Sequence, residues 1–179
     1  MRNTKISNAS RYGVFIYSGA KVKAENCILS KNQNHSLLVL AGGDFNFNHC
    51  HLLGYGGSQV PTVGISNYFY NSLTGVTSLG NIGEGSISNS IISGNLNAEI
   101  VVDTLSQGST VNLNIHHSLI KHQEVPTAAY FSNILWNADP LFTDVAEGDF
   151  TFSNTSPLQG SGIPSAVLTD ILGNPRNNP

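Results

Sequence analysis

The sequence of 179 residues predicts an all-β fold, a right-handed parallel β-helix (a solenoid) of about five coils with a C-terminal cap. Three observations lead to this prediction. Few stretches place apolar residues at the three- and four-residue spacing that is typical of a helix. Glycine, asparagine, serine and threonine separate short apolar runs, as they do between strands. A residue pattern also recurs along the chain at intervals near 23.

The repeat is clearest in four stretches of eight residues. They read VKAENCIL, FNFNHCHL, GSISNSII and LNIHHSLI, at residues 22–29, 45–52, 85–92 and 113–120. Each ends with Asn or His, a small Cys or Ser, any residue, and Leu or Ile. The small residues form the column Thr4, Cys27, Cys50, Ser90 and Ser118, and two residues later comes the aliphatic column Ile6, Leu29, Leu52, Ile92 and Ile120. Stacked coils lie about 4.8 Å apart, so such columns are what a β-helix requires.

A second set of columns lies between these stretches. Val14 and Ile16 precede Leu37 and Val39 by 23 residues, and the later members are Val63, Ile65, Ile100 and Val102. A leucine-rich repeat of similar period would need its Leu/Asn consensus and a helical or 3₁₀ return, and the sequence has neither. Parallel strands joined by crossovers are almost always right-handed, which gives the predicted hand.

Two intervals exceed the repeat and predict insertions. The 40 residues from Cys50 to Ser90 leave 17 beyond 23, which we place within residues 66–83. The 28 residues from Ser90 to Ser118 leave five, around residues 94–97 or 106–109. We therefore predict one domain, with coils over residues 1–138 and a C-terminal segment at residues 139–179.

Composition excludes several classes of function. Charged residues are 11% of the chain and the formal net charge is −3, so no basic field favours nucleic acid. No apolar run approaches the roughly 18 residues of a membrane helix, so we expect no membrane insertion by this chain. No charged and then apolar leader is present at the N-terminus.

The run His49-Cys50-His51 resembles a set of metal ligands, but consecutive strand residues point in different directions. We therefore predict no metal and no cofactor. His49 falls in a column of turn residues with Asn3, Asn26, Asn89 and His117, whose side chains can hydrogen-bond to one another. His51 is expected to face outward and to be exposed. Cys27 and Cys50 stack inward, either as free thiols or as a strained disulfide.

Two groups of side chains are candidates for ligand binding. The outward positions of the long repeat strand are polar and include Lys23, Glu25, Ser86 and Ser88. The aromatic run at residues 68–70 either stacks on sugar rings or pins the insertion to the coil wall. The predicted ligand-binding residues are Tyr55, Tyr68, Phe69, Tyr70, Asn46, Asn48, Asn114 and His116.

Acidic residues give no catalytic pair. The chain has 11 of them, and no two outside the C-terminal segment share a column of the repeat. We expect these residues to be on the solvated surface: Glu25, Asp44, Glu84, Glu99, Asp103, Glu124 and Glu147. Polysaccharide hydrolases use paired carboxylates, so the catalytic residues of any such activity stay unknown.

The C-terminal third carries four ordered motifs: DPLF (139–142), GDFTF (148–152), SPLQGSG (156–162) and TDILGNPR (169–176). Together they resemble the segment that closes bacterial secreted right-handed parallel β-helix proteins of the choice-of-anchor type, within the pectate-lyase-like superfamily. The stretch Leu158-Gln159-Gly160 departs from the Ala-Ile-Asp type usual in that group. The resemblance implies a cap, in which these side chains cover the last coil: Phe142, Phe150, Phe152, Leu158 and Ile163.

The resemblance also implies a location and a function. We expect a secreted or cell-surface protein of a Bacteroidetes-type bacterium, and this chain to be part of a longer polypeptide or assembly. It would act as a non-catalytic stalk or as a surface that binds polysaccharide or another surface protein. The alternative is a polysaccharide lyase or glycoside hydrolase, since related folds host such enzymes.

Overall fold

A computed structural model describes residues 1–176, and in this range the protein is all-β and contains no helix. The strands are β1 (Lys5–Ser7), β2 (Val14–Tyr17), β3 (Lys21–Glu25), β4 (Ile28–Ser30), β5 (Leu37–Leu40), β6 (Asp44–Asn48), β7 (His51–Gly54), β8 (Val63–Ser66), β9 (Tyr68–Asn71), β10 (Val76–Leu79), β11 (Ile82–Ser88), β12 (Ile91–Gly94), β13 (Ile100–Asp103), β14 (Val111–Ile120), β15 (Phe131–Trp136), β16 (Phe142–Asp144) and β17 (Asp149–Phe152). The last three positions of the predicted segment 139–179 lie outside the described residues.

Parallel strands form three faces. Face A contains β3, β6, β11 and the first half of β14, and face B contains β1, β4, β7, β12 and the second half of β14. Face C is the separate four-stranded sheet, in the order β13-β8-β5-β2. Strand β14 is ten residues long and joins faces A and B into one curved sheet.

The predicted columns are confirmed by the strand register. In face B, Ile6 pairs with Leu29, which pairs with Leu52, and the series continues through Ile92 to Ile120. In face C, the two predicted columns run as Val14–Leu37–Val63–Ile100 and Ile16–Val39–Ile65–Val102. The repeat in the sequence therefore corresponds to parallel pairing of successive strands.

The register continues one strand further than the sequence pattern indicates. Strand β15 pairs with β14 and places Trp136 opposite Ile120 and Phe131 opposite Ile115. Residues 121–130 between these strands form no face C strand. The connection is therefore shorter than a full repeat, which is why the 23-residue pattern misses β15.

A left-handed backbone bend separates face A from face B at every level, and we call this column the corner ladder. Its residues all have φ near +50°: Asn3, Asn26, His49, Asn89, His117 and Asn133. Residues other than glycine rarely adopt this backbone conformation. Asn tolerates it better than most because its short amide side chain hydrogen-bonds locally. The predicted Asn and His turn column is confirmed, and Asn133 is its additional member.

The interior lies between the three faces and is apolar. It contains the inward side chains of every parallel strand, including Ile16, Leu37 and Phe47, all fully buried. Cys27 and Cys50 lie in it as free cysteines, so the free-thiol interpretation is confirmed over the disulfide. Their mutual contact and burial raise the pKa of the Cys50 thiol, which keeps it protonated.

The insertion and the C-terminal segment lie outside the interior. Strands β9 and β10 form an antiparallel hairpin within residues 66–83. The aromatic residues of the C-terminal segment do not join the interior cluster at the last coil as predicted, and Leu135 of β15 contacts them only from the outer side. Phe142, Phe150, Phe152 and Leu158 pack instead on the outer side of face B, against Leu53, Ile91 and Leu119.

The outer side of face B explains this difference. Face B strands carry adjacent apolar residues, as in Leu52-Leu53, Ile91-Ile92 and Leu119-Ile120, so both sides of the sheet are apolar. A sheet of this kind must be covered on both sides. The hairpin β16–β17 supplies the cover.

Candidate functional site

A row of aromatic rings lies on the outer side of face C, and we call it the aromatic platform. It consists of Tyr12, Phe15, Tyr17 and Phe69, with ring centroids 5.2, 5.8 and 6.4 Å apart along the row. Phe15 and Tyr17 are 48% and 44% exposed. Exposed aromatic side chains in a row are uncommon on protein surfaces, so the platform is a candidate interaction surface.

The alternation of β2 produces the platform. Val14 and Ile16 point inward, so Phe15 and Tyr17 must point outward. Their neighbours on β5 are Leu38 and Leu40, which extend the apolar surface across the sheet. The next position beyond Leu38 is Gly64, where a Cβ would lie only 3.0 Å from Leu38 Cδ1.

The hairpin β9–β10 borders the platform through two of the predicted residues. Tyr68 donates its hydroxyl to Asp103 Oδ2 at 2.5 Å, and this bond raises the pKa of Tyr68. Phe69 contacts Tyr17 edge to face. Tyr70 is 56% exposed. Tyr68 and Phe69 therefore pin the insertion to face C, and Phe69 also completes the platform.

Tyr55 lies apart from the hairpin. Its ring stacks on Phe150 with centroids 6.2 Å apart, and its hydroxyl is 2.9 Å from Ser93 Oγ. Burial raises the pKa of this hydroxyl. Tyr55 thus anchors the C-terminal segment to face B, and the structure does not bring it together with Tyr68–Tyr70.

The four polar candidates lie in two rows on face A. Asn46 and Asn114 flank Ser86 in one row, and Asn48 and His116 flank Ser88 in the next. Asn48 Oδ1 accepts hydrogen bonds from Ser88 Oγ at 3.2 Å and Asn89 Nδ2 at 3.0 Å. His116 Nδ1 is 3.0 Å from His117 Nδ1. Asn48 is therefore partly used by the neighbouring strand, and His116 by the next residue of its own strand.

The corner ladder binds the C-terminal segment. Asn26 Nδ2 donates to Asn3 Oδ1 at 3.1 Å, as a ladder predicts, and also to the carbonyl of Thr169 at 2.7 Å. Asn89 Oδ1 accepts from the backbone N–H of Ile163 at 2.9 Å. Residues 163–176 therefore run along the corner from later coils to earlier ones, a contact that sequence patterns did not indicate.

His49 of the corner ladder also contacts the C-terminal segment. Its Nε2 lies 2.9 Å from Ser165 Oγ and 3.4 Å from Asn89 Nδ2. A neutral imidazole can accept at Nε2 from the Ser165 hydroxyl or from the Asn89 amide. Burial and the nearby Arg176 lower the pKa of His49 to about 4, in agreement with a neutral ring.

His51 is not exposed, and that prediction is wrong. It points away from the interior, as its strand position requires, but the rings of Phe142 and Phe152 lie 5.9 and 6.3 Å from its ring. Burial and Arg176 lower the pKa of His51 to about 4. The expectation failed because the outer side of face B has a second layer over it.

Glu99 was also expected at the surface and is fully buried. Its carboxylate accepts from Thr62 N, Thr62 Oγ1 and Leu96 N at 3.0, 2.5 and 2.7 Å. Gly54 and Gly94 lie against it, and a Cβ at either position would come within 3 Å of the carboxylate. Glu99 therefore organises the turns that precede face C.

Neither a metal centre nor a matching protein identifies a reaction. Among residues 1–176, no group of three or more His, Cys, Asp or Glu side chains is arranged to hold a metal. That range also contains no helix with the length and hydrophobicity needed to cross a membrane. Comparison with protein-family models, curated proteins and solved structures found no match.

Proposed function

We propose that the chain is a right-handed parallel β-helix module that binds polysaccharide without cleaving it, through the aromatic platform. The observation that carries the proposal is the row of four rings on the outer side of face C, of which Phe15 and Tyr17 are exposed. Apolar faces of sugar rings stack on aromatic side chains, and a row of rings suits a chain of sugars.

The solenoid part of the proposal is supported by the strand pairing. Residues 23 apart pair in parallel on faces A, B and C, as Lys23 with Asn46, Leu29 with Leu52 and Ile16 with Val39. Each set of three strands encloses part of one apolar interior. Such pairing suits coils that stack along an axis.

A non-catalytic role is favoured by the charges around the platform. On the four strands of face C, the acidic side chain is Asp103, and it is bonded to Tyr68. A glycoside hydrolase requires two carboxylates across the bond that is cleaved. The resemblance of residues 139–176 to secreted β-helix proteins supports a secreted or cell-surface location, with polysaccharide or another surface protein as the partner.

Binding to a panel of neutral and acidic polysaccharides, measured by calorimetry, tests the proposal. The double substitution Phe15→Ala and Tyr17→Ala should weaken binding at least tenfold, because both stacking surfaces are removed. Leu73→Ala, at a hairpin position 95% exposed and outside the platform, is the matched control and should leave affinity unchanged.

Two results would contradict the proposal. One is the absence of binding to every polysaccharide tested, and the other is unchanged affinity in the double variant. Release of reducing or unsaturated ends during the same incubations would show cleavage, and the lyase or hydrolase alternative would then replace the proposal of a non-catalytic binding module.

A further inference from the structure

A second site lies far from the platform, beneath the C-terminal segment. A cavity of about 760 Å³ is lined by this segment, by corner-ladder residues and by the outer side of face B, beside the contacts that join them. Its size is in the range of pockets that hold small organic molecules. The walls are partly apolar, with Ile28 and Ile91 on face B and Phe152 and Leu158 on the C-terminal segment.

Two buried nitrogen atoms of the cavity lining lack hydrogen-bond partners within residues 1–176: His51 Nδ1 and Arg176 Nε. A buried donor without a partner costs about 1–3 kcal/mol, so such atoms are uncommon in native structures. Arginine is always protonated, so Arg176 Nε can only donate. The missing partner must therefore be an acceptor.

The acidic side chains of the lining are Asp149 and Asp170, and neither is hydrogen-bonded to Arg176, although the charge of Asp170 favours the charged guanidinium. Asp149 Oδ1 accepts from the N–H and hydroxyl of Thr151, at 3.0 and 2.6 Å. Asp170 accepts from Leu172 N, Asn174 N and Asn174 Nδ2, all within 3.0 Å. Both carboxylates are thus held in their own turns. Arg176 itself donates through Nη2 to the neutral Asn26 Oδ1 at 2.9 Å.

We propose that this cavity binds a small amphipathic carboxylic acid. The carboxylate accepts from Arg176 Nε, and the apolar body lies between Ile91 and Leu158. Arginine suits a carboxylate because its planar donors match the two oxygens. The site is independent of the aromatic platform and of polysaccharide binding.

Titration calorimetry of the full chain with decanoate, below its micelle concentration, tests the proposal. Decanoate should bind in the micromolar range, and 1-decanol should bind at least tenfold more weakly because it lacks the charge. Arg176→Gln should weaken decanoate binding at least tenfold. Arg2→Gln, which changes an exposed arginine paired with Glu25, is the matched control.

A second variant distinguishes this cavity from other apolar surfaces. Leu158→Trp fills the cavity and should abolish decanoate binding, whereas Phe15→Ala with Tyr17→Ala should not affect it. The proposal is overturned if decanoate does not bind, if decanol binds equally well, or if both cavity variants bind like the wild type. Circular dichroism and the thermal midpoint of each variant show that it is folded.

Discussion

Two histidines only two residues apart have different surroundings: His49 lies in the corner ladder, and His51 lies on the outer side of face B. His49 replaces Asn in the corner ladder and accepts hydrogen bonds, while His51 is enclosed by phenylalanine rings. Both rings are neutral, with pKa values of about 4. Neither environment favours the charged form, so the pair makes the fold sensitive to acid.

We expect the protein to lose stability as the pH falls from 6.5 to 4. A histidine titrates near 6.5 when unfolded, so in this window the unfolded chain binds more protons than the folded one. For the enclosed His51 the loss is on the order of 2–3 kcal/mol. Urea unfolding measured between pH 4 and 8 checks this, and the midpoint should be flat above pH 7.

His49→Asn is the informative variant for this prediction. Asn occupies the same position at four other levels of the corner ladder, so the left-handed bend is retained while one titrating group is lost. The variant should match the wild type at pH 7.5 and be less acid-sensitive between pH 6.5 and 5. Equal acid sensitivity in the two proteins would contradict the role of His49.

At the scale of single residues, sequence patterns predicted direction better than exposure. The alternation of a strand gave the outward direction of His51 and the inward direction of Cys50 correctly. It did not give the exposure of His51, because that depends on residues about 90 positions later in the chain. Glu99 was missed for a related reason, since its three donors come from turns that have no repeated sequence.

Among the elements, β15 and its corner residue give a direct test of the strand register. Asn133 has φ of 52° and stands opposite His117. Asn133→Ala should cost about 1 kcal/mol because alanine keeps a Cβ in the left-handed region and lacks the amide that lets Asn tolerate it, whereas Asn133→Gly, without a Cβ, should cost less. Chemical denaturation of the two variants measures the difference. An alanine variant as stable as the glycine variant would argue against the bend.

The pairing of residues in successive strands was predictable because side chains at equal positions of a repeat share one environment. The aliphatic column that begins at Ile6 and ends at Ile120 was assigned correctly on this basis alone. Strand β15 and the cover on face B were not assigned, although the sequence carried a signal for the cover. Doubled apolar residues such as Leu52-Leu53 indicate a sheet that is buried on both sides.

For the whole molecule, we expect the C-terminal segment to unfold together with the parallel strands, because it packs on face B. Phe150 is 3% exposed and packs on Tyr55 and Phe142. Phe150→Ala should therefore destabilise the protein by about 3–5 kcal/mol, the usual range for a buried phenylalanine. Phe15→Ala is the matched exposed substitution and should cost far less.

Trp136 lies on β15, the last of the parallel strands. In Phe150→Ala, its fluorescence and the far-ultraviolet circular dichroism should report one common unfolding transition. The common midpoint should move to lower denaturant. Two separated transitions, with the Trp136 transition unchanged, would show that the segment unfolds independently of the coils.

The path of residues 163–176 along the corner also determines how the protein responds to mechanical load. Its bonds to Asn89, His49 and Asn26 follow one another along the segment in the order Ile163, Ser165, Thr169. A pulling force applied at residue 176 therefore loads these bonds one at a time, starting at Asn26, as in peeling. The parallel strands beneath would carry tension only after the segment has detached.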